Sequence, residues 1–206
     1  AILASILVPA VSDALLRGRM TQVMSNGKNI YTALFAKEME DAVFMRVAPY
    51  PKAGTGSTDV SNMVFATSTD YFKWVVTSGV MNVSFSFFAA PGVVPVQDST
   101  NFAAANNAWC VVAGVSEGTA DGTPLLFTRN LDITSLGDAN LKPGGTIATI
   151  MPTVKGDHEN TPFLDKGMVA VFKGGSALSL RQKDVVENFN KLGATNQVIR
   201  PATSGY

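Results

Sequence analysis

The residues with the greatest capacity for chemistry are few, and they cluster in one segment. The single histidine, His158, stands between Asp157 and Glu159, and Asp165 follows closely. Carboxylates spaced in this way in a loop could supply the oxygen ligands that Ca²⁺ prefers, so Asp157, Glu159 and Asp165 form a candidate calcium site. The simpler alternative is a set of solvated loop residues. One histidine excludes any zinc site that needs two or three imidazoles.

Nucleophilic catalysis finds little support in the sequence. No Gly-x-Ser-x-Gly motif is present, and a Ser/His/Asp triad would have to be built around His158 alone. Cys110 lies in the apolar stretch 109–112, where a buried, unreactive thiol is the expected state. The Gly-Thr-Gly stretch at 54–56 lacks the third glycine and the strand-to-helix context of a dinucleotide-binding loop. We therefore predict a protein that is not an enzyme and that binds no cofactor other than the candidate calcium.

Composition restricts the classes of partner. The 206 residues carry sixteen Lys and Arg against sixteen Asp and Glu, a formal net charge of zero, and 46% of them are hydrophobic. No block of five or more basic residues occurs, so the electrostatic field that nucleic-acid binding needs is missing. We therefore expect no nucleic acid among the partners. The length suits one globular domain with an appendage.

The N-terminal part of the chain predicts one long helix. Residues 1–12 contain no charge, and apolar residues then recur at helical spacing as far as Val43. The positions predicted to face a core are Met20, Val23, Met24, Gly27, Ile30, Tyr31, Leu34, Phe35, Met39, Ala42 and Val43. The opposite, solvated face is predicted to carry Arg19, Gln22, Lys28, Lys37, Glu40 and Asp41. A helix from about residue 1 to about residue 46 would be about 70 Å long, so part of it must protrude.

Pro9 is expected to kink this helix rather than to end it. In water a proline removes a backbone hydrogen bond and costs about 3 kcal/mol, which usually terminates a helix. In lipid or in a helix bundle the segment stays helical with a bend. A bilayer takes about 20 apolar residues to span, so residues 1–12 would be only the second half of a membrane segment. We expect the apolar run to continue upstream of Ala1.

The rest of the chain predicts a strand-rich head that follows a turn-rich linker at 49–57. Short helices are expected at 69–78, 99–106 and 183–192. Strands are expected at 83–87, 109–115, 125–131, 146–151, 168–173 and 176–180. The last two strands form a hairpin across Gly174-Gly175, since glycine can take positive φ at both turn positions. A long helix followed by strands in hairpin order predicts an α+β fold, with an antiparallel sheet packed on the distal half of the helix.

The N-terminal segment also resembles a known family. Residues 1–13, Ala-Ile-Leu-Ala-Ser-Ile-Leu-Val-Pro-Ala-Val-Ser-Asp, are similar to the second half of the N-terminal segment of type IV pilins and type II secretion pseudopilins. Those families have a small and apolar run closed by Ile/Val-Pro-Ala. Segments that also resemble the heads of pseudopilin-like proteins are 109–112, 121–124, 127–131 and 171–176. The resemblance implies a pilin-like fold, in which a globular head caps a protruding stem.

The function that this resemblance implies is assembly rather than catalysis. A prepilin peptidase would cleave and N-methylate the chain upstream of Ala1. The processed subunit would then be held in the inner membrane as a single-pass protein until assembly. It would then join an extracytoplasmic or cell-surface helical filament, with copies of itself, other pilins or pseudopilins and an assembly platform as partners. The stem would span residues 1–24, and residues 25–48 would pack on the head, residues 49–206. The residues expected to carry assembly are Ile2, Leu3, Ile6, Leu7, Pro9, Val11 and Leu15.

Several alternatives stay open at this point. The helix could serve only as the tether of a membrane-anchored extracytoplasmic binding module. Pilus and secretion-pseudopilus subunits share the same stem, and so do major and minor subunits, so the sequence does not separate them. Major pseudopilins bind calcium in a C-terminal loop. The resemblance is therefore a second reason to consider Asp157, Glu159 and Asp165 as calcium ligands.

Overall fold

The chain is an α+β protein built on one long helix and one antiparallel five-stranded sheet. A computed structural model describes residues 2–54, 58–141, 161–163 and 165–202, with side chains from Val11 onward except at Asn140. Helix α1 (Ile2–Val43) continues through Pro9, as predicted, and ends slightly before the expected boundary. The predicted kink at Pro9 stays a prediction. The expected α+β class, with a long N-terminal helix and an antiparallel sheet, is confirmed, and the pilin-like character of the fold stays a prediction.

The elements that follow α1 are short. Two strands, β1 (Lys52–Ala53) and β2 (Val64–Phe65), form a small parallel sheet. The remaining helices and strands are α2 (Ser68–Thr77), β3 (Trp109–Val112), β4 (Pro124–Thr128), β5 (Met168–Phe172), β6 (Ala177–Leu180), α3 (Gln182–Asn188) and β7 (Val198–Ile199). Single turns of 3₁₀-helix lie at Val60–Asn62, Phe85–Phe88, Ala104–Asn106 and Ala139–Leu141.

The five-stranded sheet has the order β6-β5-β4-β3-β7, and every neighbouring pair is antiparallel. Side chains alternate between the two faces of a strand, so Trp109, Leu126 and Val171 share the face that meets α1. Phe127 points to the opposite face. There its ring packs edge-to-face on Phe189, just after α3, with ring centres 5.1 Å apart. The sheet is therefore covered on both faces.

Helix α1 is fixed to the sheet along one stripe. Its buried positions recur at three- and four-residue spacing, which keeps them on one side of the helix: Met20, Val23, Gly27, Ile30, Leu34, Glu38 and Asp41. Gly27 allows the closest approach, because a Cβ built there would lie 2.7 Å from Val171 Cγ2 and 2.8 Å from a ring carbon of Trp109. The helix and the sheet are therefore in direct backbone-to-side-chain contact.

The buried face of α1 differs from the predicted one beyond Leu34. Four positions that the sequence places in the core are exposed: Phe35, Met39, Ala42 and Val43. Asp41, predicted on the solvated face, is buried and pairs with Lys37 at 2.9 Å. The prediction was wrong because it followed apolar character from Leu34 to Met39. With the helical period, the buried stripe instead continues to Glu38 and Asp41, two charged residues that each have an ion-pair partner.

The head contains the predicted hairpin and α2, with boundaries close to those expected. The hairpin turn is longer than two residues: Gly175 N–H donates to the Phe172 carbonyl, and of the two glycines only Gly175 has positive φ, +80°. The predicted strand at 83–87 was wrong. Phe85–Phe88 is a 3₁₀ turn that buries Phe85 and Phe88, whose three-residue spacing matches the 3₁₀ period.

Two of the shorter predictions also need correction. Of the helix expected at 99–106, only Ala104–Asn106 is helical, as a 3₁₀ turn. The helix expected at 183–192 is shorter, because α3 ends at Asn188 and Gly193 with φ +65° closes a later turn. The strand expected at 146–151 lies outside the described residues.

Candidate assembly surface

The first feature of this surface is the free end of α1. Val11 and Leu15, one helical turn apart, expose 48% and 58% of their surface. Leu16 is half-buried, and the first buried contact with the head comes at Met20, whose methyl group packs beside Gly167. Leu16 still packs against the core of the head, so the helix leaves the head at Leu16. We call the exposed pair Val11 and Leu15 the stem ridge.

The other predicted assembly residues precede the stem ridge. They lie in the part of α1 described as backbone only, and they are Ile2, Leu3, Ile6, Leu7 and Pro9. The structure thus brings all seven predicted residues onto one helix. Within the part of the chain that the structure describes, no helix is both long and apolar enough to cross a membrane.

A second exposed apolar stripe lies farther along the same helix. Phe35, Met39 and Val43, spaced four residues apart, expose 42%, 55% and 75% of their surface. The Phe35 ring stacks on Tyr31 with centres 5.8 Å apart, and Tyr31 in turn lies against Gly175 in the β5–β6 turn. Phe35 thus faces outward while one side of its ring lies on Tyr31. We call Phe35, Met39 and Val43 the upper ridge.

The upper ridge continues into the turn that ends α1. Phe44 and Met45 are exposed, and Met45 adopts a left-handed backbone with φ +53°. The turn is closed by backbone hydrogen bonds, in which Met45 N–H donates to the Ala42 carbonyl and Arg46 N–H to that of Asp41. The apolar surface at this end of the helix is therefore held by ordered backbone.

Three polar groups anchor the upper half of α1 to the head. Lys173, which directly follows β5, donates from its ammonium to both carboxylate oxygens of Glu38, at 2.7 and 3.0 Å. The Tyr50 hydroxyl donates to Glu38 Oε2 at 2.6 Å and lies 3.1 Å from the Lys173 Nζ. The ammonium also sits 4.7 Å from the centre of the Tyr50 ring. All three residues are buried. We call them the anchor cluster.

The anchor cluster is satisfied within itself. Burial, followed by the hydrogen bond to Glu38, raises the pKa of the Tyr50 hydroxyl far above its usual value, so Tyr50 stays a neutral donor. The carboxylate of Glu38 is compensated by the ammonium of Lys173. Because each group already has its partners, the cluster suits mechanical attachment better than reaction with a substrate.

The candidate calcium ligands are only partly described. Asp157 and Glu159 lie outside the described residues, as does His158. Asp165 is exposed and its carboxylate lies 3.5 Å from the ammonium of Lys166. Among the residues with described positions, no group of three or more His, Cys, Asp and Glu side chains is arranged to hold a metal ion. The calcium site stays a prediction.

Cys110 is buried in β3, as the sequence predicts. Burial raises the pKa of its thiol to about 12. Because the thiol is enclosed in the core and a reagent cannot reach it, we expect no labelling of the native protein by a maleimide within an hour at pH 8. Mass spectrometry would follow the adduct, and the unfolded chain in guanidinium serves as the positive control. Labelling of native and unfolded chains at similar rates would contradict this prediction.

Comparison of this chain with protein-family models, with curated protein sequences and with solved structures gives no match. Its surface must therefore be interpreted from its own geometry and from the sequence resemblance described above.

Sequence reasoning missed the anchor cluster, although a signal for it exists. Glu38 stands four residues after Leu34 on the stripe that begins at Met20, and Lys173 ends an apolar strand before two glycines. Lys173 is a single charge next to an apolar run, and Glu38 is distinguished from the neighbouring charges at 37, 40 and 41 by its place on the apolar stripe. Buried charges of opposite sign are normally paired. Tyr50 gives no comparable signal, because its position depends on the turn after α1.

Proposed function

We propose that this chain is a structural subunit of a type IV pilus-like or type II secretion pseudopilus-like filament. The observation that carries the proposal is the division of α1 into two parts. From Met20 to Asp41 the helix is buried along one side against the head, Leu16 still packs partly against the core, and before Leu16 the helix exposes the apolar side chains of Val11 and Leu15. The resemblance of residues 1–13 to pilin stems supports the same conclusion.

Assembly would work by packing of stems against one another. Transfer of apolar side chains from lipid to a protein interior yields little hydrophobic free energy, so the association depends on close contact between helices. Small residues permit that contact, and the exposed stem carries Ala14 and Gly18. A Cβ built at Gly18 would meet no atom within 4 Å, so another helix has access to its backbone. Leu15 beside them supplies apolar area.

The proposal includes a location and partners. Before assembly the subunit would reside in the inner membrane through its N-terminal segment, and afterwards in an extracytoplasmic or cell-surface filament. Its partners would be copies of itself, other pilins or pseudopilins and the assembly platform. The head, fixed by the anchor cluster, would lie outside the stem core.

Electron microscopy of the full chain tests this function. We expect uniform fibres when the stem-containing protein is transferred from detergent to a membrane-free buffer, or when it is produced with a pilus or type II secretion assembly machinery. Monomers that remain dispersed under both conditions would contradict the proposal, and would favour a helix that serves only as a tether for an extracytoplasmic binding module.

A further inference from the structure

We propose that a cleft at the junction of α1 and the head binds the headgroup of a membrane phospholipid that carries both a phosphodiester and a primary ammonium, as phosphatidylethanolamine does. The cleft is lined by α1, by the segment just before β5, by the end of β6 and by the start of α3. We call it the junction cleft. The inference rests on the proposed function, because it needs the subunit to reside in a membrane before assembly.

The junction cleft combines an apolar interior with a charged edge. Its volume is about 910 Å³, which is within the range of small-molecule sites. Met20 and Leu180, in its lining, are buried, and Leu16 beside them is half-buried. Four exposed basic side chains complete the lining: Arg17, Lys166, Arg181 and Lys183. A ligand that contacts both kinds of surface has a charged group attached to an apolar part.

Most of the basic side chains of the junction cleft are available to a ligand. Arg17, Arg181 and Lys183 have no ion pair among the described residues, while Lys166 lies 3.5 Å from the carboxylate of Asp165. A guanidinium group presents several N–H donors in a geometry that matches phosphate oxygens. The two arginines come from different elements, α1 and the residue before α3, so a phosphodiester between them would be held from two sides.

Two carboxylates in the same lining specify the rest of the headgroup. Asp13 and Asp184 also have no ion pair in the part of the chain that the structure describes. A ligand with negative charge alone would bring that charge beside them. A primary ammonium supplies three N–H donors to such carboxylates, as lysine does, whereas a choline group has no N–H. Unpaired charges of both signs therefore favour an ethanolamine headgroup over a glycerol or choline headgroup.

The position of the junction cleft along α1 favours a lipid over a soluble phosphodiester. Residues 1–12 contain no charge, and the first two charged residues of the chain, Asp13 and Arg17, both line the cleft. They lie about 6 Å apart along the helix axis. The proposed function places the uncharged segment in the membrane, and the first charged turn after an apolar membrane segment lies at the level of the lipid headgroups.

Native mass spectrometry of the full chain in a maltoside detergent tests the ligand. The protein is incubated separately with equal concentrations of phosphatidylethanolamine, phosphatidylcholine and phosphatidylglycerol that have identical acyl chains. We expect a one-to-one adduct with phosphatidylethanolamine and about tenfold less adduct with either other lipid, because neither supplies an ammonium N–H to the carboxylates. Soluble glycerophosphoethanolamine should bind more weakly than the lipid, because it lacks the apolar chains.

A pair of charge-matched variants locates the site. Arg17→Gln combined with Arg181→Gln removes both guanidinium groups of the junction cleft, and we expect the phosphatidylethanolamine adduct to fall about tenfold or more. The control combines Arg19→Gln with Lys191→Gln, which removes the same charge from exposed positions outside the cleft, on α1 and after α3. The control should bind as the unsubstituted chain does. All four positions are exposed, so both variants should keep its melting temperature.

The outcomes separate this inference from the filament function. Selective binding of phosphatidylethanolamine that is lost in the cleft variant and kept in the control supports the headgroup site. Equal binding of the three lipids, equal loss in both variants, or tighter binding of glycerophosphoethanolamine than of the lipid overturns it, and fibres formed by the same chain would leave the filament function standing. Selective binding by a chain that forms no fibres supports the headgroup site while the filament function fails.

Discussion

Replacement of Val11 by aspartate is expected to abolish fibre formation while the head stays folded. Val11 is about half exposed in the single subunit, so the substitution costs the isolated protein little. In the fibre the same side chain would be enclosed by other helices, where an unpaired carboxylate costs several kcal/mol. That penalty recurs at every subunit added, so we expect no fibres by electron microscopy and no pelletable protein. The stem predicted from the sequence also includes Leu7, so we expect the same result for Leu7→Asp.

A control with equal exposure makes this result specific. Val60, in the 3₁₀ turn after β1, exposes the same 48% as Val11 but lies on the head. Val60→Asp should therefore form normal fibres, and all variants should give the circular dichroism spectrum and melting temperature of the unsubstituted protein. Normal fibres from Val11→Asp would refute a filament core built on the stem.

Replacement of Lys173 by methionine is expected to destabilise the folded protein by about 3 kcal/mol or more. The variant removes the ammonium that donates to both oxygens of Glu38 and leaves a buried carboxylate with only the hydroxyl of Tyr50. Removing one member of a buried ion pair typically costs about 3–5 kcal/mol, because the remaining charge is uncompensated. Urea unfolding followed by tryptophan fluorescence would measure the change.

Two further variants distinguish this charge effect from a general loss of packing. Lys166→Met removes a lysine of an exposed pair and should change the stability by less than about 0.5 kcal/mol. The triple variant Glu38→Leu, Tyr50→Phe and Lys173→Met removes every polar group of the anchor cluster together, and should recover most of the lost stability. If Lys173→Met behaved like Lys166→Met, the anchor cluster would not secure the helix.

Local patterns are enough to predict much of this fold. The uncharged run and the helical spacing that follows predict α1, and the apolar runs on either side of Gly174-Gly175 predict the β5–β6 hairpin. The segment at 83–87 could not be assigned in the same way. There an alternation typical of a strand competes with a three-residue repeat of phenylalanines, and only packing against the rest of the head decides between them.

The candidate surface was less predictable than the fold. The stem ridge follows from the position of Val11 and Leu15 in an apolar helix that is longer than the head. The upper ridge could not be predicted from the sequence. The spacing of apolar residues does not show which stripe of a helix packs on the sheet and which neighbouring stripe faces outward. Glu38 continues the buried stripe past Leu34, and its partner Lys173 is remote in sequence. Such pairings depend on tertiary structure and leave no periodic signal.

The order of elements along the chain has a consequence for biosynthesis. Helix α1 emerges from the ribosome well before the strands that bury its inner face, β5 and β6. Contacts between residues so distant in sequence form slowly, and until they form both sides of the helix are open to solvent and to aggregation. We therefore expect the nascent chain to need a chaperone or an early membrane contact, and a ribosome stalled before Met168 to display an unprotected helix.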